Sequence, residues 1–341
     1  MTANVRLDAR VSTVVVHPAS ELSYASYVLE GLAAVLGPSS IRYSTDGFSE
    51  GFTGGRVLAF YRGDDPAARC FLAFHDHPRV RPRGMEWARV YGMVNVREED
   101  VAGGVVALGP TFGVRLTSSW LTARHLVHAS AWAGIKPVQA AAARARAAYQ
   151  HQRRRTTIAH YQASPSDPDY AFFAAWPWVK HTEVNPPRAR FIEACHRAPG
   201  LTFEGGFAPR RRRDLPDVLA LSAPRRYSIA EYLTKSARSA VAFNNPAVHQ
   251  CHGWKLGEFL ALGKAIITLP LSRALPAPLE HGVHIHVVDG SPESLDDALA
   301  RLRGDHEYRR ALETNAREWY ERTLAPAALA RRLLGALDEQ G

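Results

Sequence analysis

Short apolar runs alternate along this chain with longer stretches whose apolar residues recur every three to four positions, the joint signature of strands and amphipathic helices. In the first half, residues 11–16, 41–44, 57–61, 70–74, 90–96 and 105–108 read as strands, most of them closed by Gly or polar residues. Residues 24–36 read as a helix ending near Gly37-Pro38. Residues 120–161 carry Ala and Arg at helical spacing, and Gly134 and Pro137 divide them into two helices. After the turn-rich Ser164-Pro-Ser-Asp-Pro168 the same grammar restarts. Strands are expected at 170–176, at 201–204 closed by Gly205-Gly206, at 239–243, at 265–269 and at 284–288; helices at 187–197, 229–239, 254–263, 295–303 and 307–323, with a last one after Pro326. This alternation predicts an α/β protein with mostly parallel sheets, and the restart predicts two domains joined near residues 164–168.

The densest information lies in residues 252–270, HGWKLGEFLALGKAIITLP. An apolar strand ends at Asn244-Asn245-Pro246, Gly253 supplies backbone freedom before a helix that starts at Trp254, and Gly263 stops that helix. Leu256, Phe259 and Leu260 fall at spacings that suit a packed face, while Lys255 and Glu258, three apart, share another. A short apolar strand follows. In such strand-loop-helix-strand units the helix N-terminus lies at the carboxyl ends of the strands, where free N–H groups and the helix dipole favour a phosphate. A carboxylate one turn into the helix can accept hydrogen bonds from ribose hydroxyls. The plainer alternative is an exposed i,i+3 pair worth at most about 0.5 kcal/mol.

This string resembles the C-terminal domain of glycosyltransferases of the two-Rossmann-domain (GT-B) type, in particular group-1-like members with an (R/K)-x-x-E-x-x-A-x-G-x-x-(I/V)-(I/V) core. Lys255, Glu258, Ala261, Gly263, Ile266 and Ile267 fill those places. The resemblance implies two Rossmann-like domains facing across a cleft: an acceptor-side domain over 1–163, a nucleotide-sugar domain over 164–323, and a final helix over 324–341 packing back toward the first domain. It implies that Glu258 holds the nucleotide ribose and Lys255 sits near the diphosphate. Many retaining relatives carry a second Glu eight residues earlier, where this chain has Gln250, which leaves the anomeric outcome open. The segments His75-Asp-His-Pro and Val90-Tyr-Gly-Met-Val-Asn also look like the acceptor domain of such transferases, less specifically.

Composition narrows the picture without redirecting it. The 341 residues exceed one ordinary core, and 46% apolar content fits a globular chain. Net charge is +9, which admits an anionic partner, yet only five of the 42 basic residues are Lys and the Arg excess travels with Ala and Gly. Neither Arg153-Arg-Arg155 nor Arg210-Arg-Arg-Arg213 is interleaved with the aromatic residues of a single-strand platform. A nucleic-acid-binding module using those runs therefore stands as the alternative function, beside a non-catalytic Rossmann-type protein. Cys70, Cys195 and Cys251 are odd in number and widely spaced, without zinc-ligand spacing. Neither a signal h-region nor a membrane-length apolar run is visible, so the expected home is the cytoplasm, with peripheral membrane contact left open.

Glycosyl transfer needs a diphosphate pocket, positive charge on the leaving phosphate and, for inversion, a base on the acceptor hydroxyl. For the donor we expect Gly253, Trp254, Lys255 and Glu258, with Lys180 after the 170–176 strand and Asn244 at the end of its own strand; Asn-Asn-Pro also reads as a turn in its own right. For the base we expect Asp76, which follows the 70–74 strand, or His17, which follows the first. His75 with His77, and His281 with His284 and His286, the latter two on one strand face, lack the carboxylates of a metal cluster. The lone Asp-x-Asp spacing, Asp167-Pro-Asp169, sits in the expected linker. Metal-independent chemistry follows, with no cofactor beyond the nucleotide-sugar donor and an acceptor that the sequence does not name.

Overall fold

The computed structural model describes residues 13–48, 55–133, 138–210 and 215–339. The start of the first expected strand, the Gly134–Pro137 divider and most of the Arg210-to-Arg213 run lie outside these residues. The chain separates into two compact units, one of residues 1–158 with 325–341 and one of residues 159–324. Each has its own sheets.

The first unit runs β1 (Val14–Val16), α1 (Leu22–Leu36), β2 (Ile41–Tyr43), β3 (Val57–Arg62), β4 (Arg69–Ala73), α2 (Pro82–Trp87), β5 (Val90–Met93), α3 (Glu98–Ala102), β6 (Val106–Ala107), α4 (Ser119–Ala133) and α5 (Val138–Arg154). The six strands form one sheet in the order β2-β1-β3-β4-β5-β6. It is mainly parallel, with β3 antiparallel to both β1 and β4. The exception has a local cause. Only Gly63 to Ala68 separate β3 from β4, too few residues for a crossover helix, so the chain turns back on itself. The short helices α2 and α3 escape the periodicity reading because neither is long enough to show it.

The second unit runs β7 (Tyr170–Ala175), α6 (Asn185–Arg197), β8 (Thr202–Phe207), α7 (Pro216–Leu219), α8 (Ile229–Arg238), β9 (Ala242–Asn244), α9 (Trp254–Ala261), β10 (Ile266–Thr268), β11 (His286–Val287), α10 (Pro292–Gly304) and α11 (His306–Trp319). Every ladder is parallel: β7 with β8, and β9 with β10 and β10 with β11. β7 adjoins the approach to β9, since Ala240 N–H donates to the Tyr170 carbonyl at 2.8 Å and Phe172 N–H to Ser239 Oγ at 2.9 Å. The core beneath is aromatic, with Phe191 stacked on Phe243 at 4.4 Å and Phe173 set edge-on to both. A Ser228–Glu231 capping box fixes the start of α8. A last helix, α12 (Pro326–Glu339), belongs to the first unit and packs on α1, where Gly31 admits the Pro326 carbonyl so closely that a β-carbon would lie 2.0 Å from its oxygen.

Two local expectations are corrected. Gly205 and Gly206 do not close β8 but lie inside it, at φ of +122° and +118°, because a β-carbon on Gly205 would strike the Phe173 carbonyl oxygen at 1.9 Å. His284 does not share a strand face with His286: β11 is only two residues long, and His284 sits in the preceding turn, its Nδ1 accepting from Glu280 N–H at 3.2 Å.

Candidate functional site

At the carboxyl end of the second unit's strands, the chain leaves β9 at Asn244 and enters α9 through a nine-residue loop. Gly253 caps α9 at φ −79° and ψ 153°, an extended conformation open to any residue, so its glycine is not required by the backbone. What the missing side chain leaves is room: a β-carbon there would meet nothing within 4 Å. Gly253, having no side chain, does not cap the helix, and Trp254 occupies its first position. Midway through the loop His249 and Gln250, both exposed, take left-handed conformations at φ 56° and 60°. Two successive non-glycine residues in that region store strain, which persists where neighbours hold it. Arg273 Nη2 donates to the His249 carbonyl at 2.6 Å and Ser272 Oγ to that of Gln250 at 3.2 Å.

Lys255 and Glu258 are not the exposed surface pair of the plainer alternative. Glu258 is only 5% exposed and accepts from two tyrosyl hydroxyls, Tyr232 at 3.0 Å and Tyr161 at 3.3 Å. Lys255, half-buried, points its ammonium at the Ala174 carbonyl near the end of β7 and at the rings of Phe173 and Tyr232, each 5.0 Å away. Desolvation pulls its pKa down to about 8, with Arg188 lowering it further against the opposing pull of Glu258.

Arg188 is the residue that the sequence reading missed. It lies in the first turn of α6, buried, with Nε donating to Asn245 Oδ1 at 2.9 Å and Nη1 to the Trp176 carbonyl at 3.1 Å. Burial lowers its pKa to about 10. Two cations thus stand near each other at one sheet edge, held by neutral acceptors. No local signal marks it: nine residues separate α6 from β7, and Arg188 is one of 37 arginines. Asn244 is buried and ties strand ends together, its Nδ2 donating to Thr268 Oγ1 at 2.9 Å. Lys180 is exposed in the loop after β7.

The expected bases lie in the first unit. Asp76, half-buried past the end of β4, pairs with Arg56 at 2.6 Å, and that guanidinium also covers the Tyr24 ring at 5.0 Å. His17 closes its own turn, its Nδ1 accepting from Ala19 N–H at 3.1 Å, and its ring packs near Phe48 and Trp132. Burial takes its pKa to about 4, so it is neutral near pH 7. His75 stacks flat on His77 at 5.0 Å and is lowered to about 4, first by burial and then by Arg81. Among the described residues no three His, Cys, Asp or Glu side chains gather as a metal cluster, and no helix is long and apolar enough to cross a membrane.

No family model and no curated protein matches the chain. Among solved structures it is similar to Anabaena Alr3699/HepE in complex with UDP, at 16% identity and TM-score 0.40 over 63% of this chain and 67% of that one. It is similar to a glycosyltransferase from Rickettsia africae at 9% identity and TM-score 0.42, covering 79% of this chain and 70% of that one. A third likeness is to the C-terminal domain of LpcC, a glycosyl transferase group 1 family protein of Francisella tularensis. There identity is 13% and TM-score 0.34, with 48% of this chain and 95% of that one covered.

Proposed function

We propose that this chain transfers a glycosyl group from a nucleoside-diphosphate donor to an acceptor hydroxyl, with the donor held by the second unit. The observation that carries this reading is the pair of Lys255 and Arg188 at the carboxyl edge of a parallel sheet. Each is desolvated enough that its pKa falls, to about 8 and about 10, and each rests on neutral acceptors. Cations in that state gain most from an incoming anion, and the dipole at the start of α9 beside them favours one too. A departing diphosphate develops negative charge at that spot, and the two side chains are placed to take it up without a bound metal. Glu258, one turn along α9, is the carboxylate we assign to the ribose hydroxyls. If the reaction inverts, Asp76 takes the acceptor proton, with His17 as the second choice; Gln250 in place of a carboxylate keeps that route open.

The nucleic-acid alternative would use the Arg153–Arg155 run, where Arg153 lies 5.9 Å from the Tyr149 ring. A thermal-shift screen of UDP, GDP, dTDP and short oligonucleotides tests the reading. A ligand at a hundred times its dissociation constant stabilises by roughly 2.7 kcal/mol, and at least one nucleoside diphosphate is expected to do so. Stabilisation by oligonucleotides alone, falling steeply with salt, would move the assignment to nucleic acid.

A further inference from the structure

Resting on the donor reading above, we infer that Trp176 is the seat of the donor's nucleobase, its indole stacking on the base while Lys255 and Arg188 hold the diphosphate. Trp176 is 59% exposed, a large apolar ring left in solvent at the end of β7. Its backbone is nonetheless fixed. Arg188 Nη1 donates to its carbonyl, Lys255 grips the carbonyl of Ala174 two residues earlier, and the buried Pro177 follows. The exposed indole therefore leaves the chain within two residues of both carbonyls that the cations hold. Two extended residues span about 7 Å, comparable to the ribose that separates a nucleobase from its phosphates.

One contact of the ring is already made: the Arg226 guanidinium lies 4.7 Å from the ring centroid. Arg226 is exposed and comes immediately before the Tyr227 ring that Arg225 covers at 5.1 Å and the Ser228–Glu231 capping box of α8. An indole steadied by a guanidinium and open elsewhere offers a flat surface to a second planar group. A nucleobase is the planar part of the proposed donor, and stacking tolerates any base, so Trp176 contributes affinity while leaving the choice of base to other groups.

Titration calorimetry of wild type, Trp176→Ala and Trp176→Phe with UDP, GDP and inorganic pyrophosphate tests this. Base-aromatic stacking is worth about 1–3 kcal/mol on alanine substitution, so Trp176→Ala is expected to weaken the nucleoside diphosphates about 5- to 150-fold, leaving pyrophosphate within about twofold. Trp176→Phe should recover most of the loss, and unchanged melting temperatures would show both variants folded. Equal losses for nucleotide and pyrophosphate would mean that the residue acts through the Arg188 contact, and that overturns the inference, as does an unchanged UDP affinity. Wild-type protein that binds pyrophosphate but no nucleoside diphosphate would instead remove the donor reading itself.

Discussion

The carboxyl edges of the two units' sheets are built in opposite electrostatic styles. In the second unit, Lys255 and Arg188 are desolvated and bound to neutral groups, so positive charge is waiting there. In the first, charge is already matched: Asp76 lies 2.6 Å from Arg56, and His17 and His75 are pushed to pKa values near 4 by burial and so are neutral over most of the accessible range. An edge with desolvated cations that hydrogen-bond to neutral groups suits an anionic ligand. An edge with paired and neutral groups suits a hydroxyl compound, where the task is to accept a proton rather than to neutralise a dianion. That difference is why we propose donor binding on the second unit and the base on the first.

The comparison breaks most visibly if the first unit's edge proves idle. Asp76→Asn is expected to lower turnover about 10²- to 10⁴-fold, the usual contribution of a placed base, with nucleoside-diphosphate affinity unchanged. Steady-state kinetics together with calorimetry on the same variant check both halves. Turnover within a few-fold of wild type, or a product with the donor's anomeric configuration retained, would take Asp76 out of the role.

A smaller effect sharpens the other side. Glu258→Gln keeps the shape of the side chain and an acceptor for one tyrosyl hydroxyl, so the fold should survive. Losing one charge-assisted bond to ribose costs about 1.5–3 kcal/mol, at least tenfold in nucleoside-diphosphate affinity, with pyrophosphate affinity preserved. A folded variant with wild-type nucleotide affinity would leave Glu258 as a purely internal partner of Tyr161 and Tyr232.

Much of this fold is legible in the sequence because its elements are short, periodic and punctuated. The helix expected over 24–36 is α1 at Leu22–Leu36, the strand expected over 170–176 is β7 at Tyr170–Ala175, and the helix from Trp254 is α9. What was not legible depends on three-dimensional approach. Nothing local announces that β8 continues through two glycines, because the cause is the Phe173 carbonyl on the neighbouring strand. Nothing local distinguishes Arg188 from the other arginines either; burial against Asn245 and the Trp176 carbonyl does. For the same reason the Lys255 and Glu258 spacing fitted both an exposed pair and an inward one, and only packing against Tyr161, Tyr232 and Phe173 decided between them.

The charge on Lys255 is central to the proposed donor site. Because its folded pKa is near 8 rather than 10.5, the free protein loses this proton as pH rises through 8, and an anion bound beside the ammonium pulls the pKa back up. Calorimetric titration with UDP, GDP and pyrophosphate from pH 7 to pH 9.5, in buffers of different ionisation enthalpy, measures this directly. Wild type should bind a nucleoside diphosphate with net proton uptake near pH 8 and progressively lower affinity above it. Lys255→Met should bind about 10- to 150-fold more weakly at pH 7 and lose both the uptake and the pH dependence. Binding with the same affinity and no proton uptake in both proteins would contradict the claim that this edge of the second unit receives the donor's diphosphate.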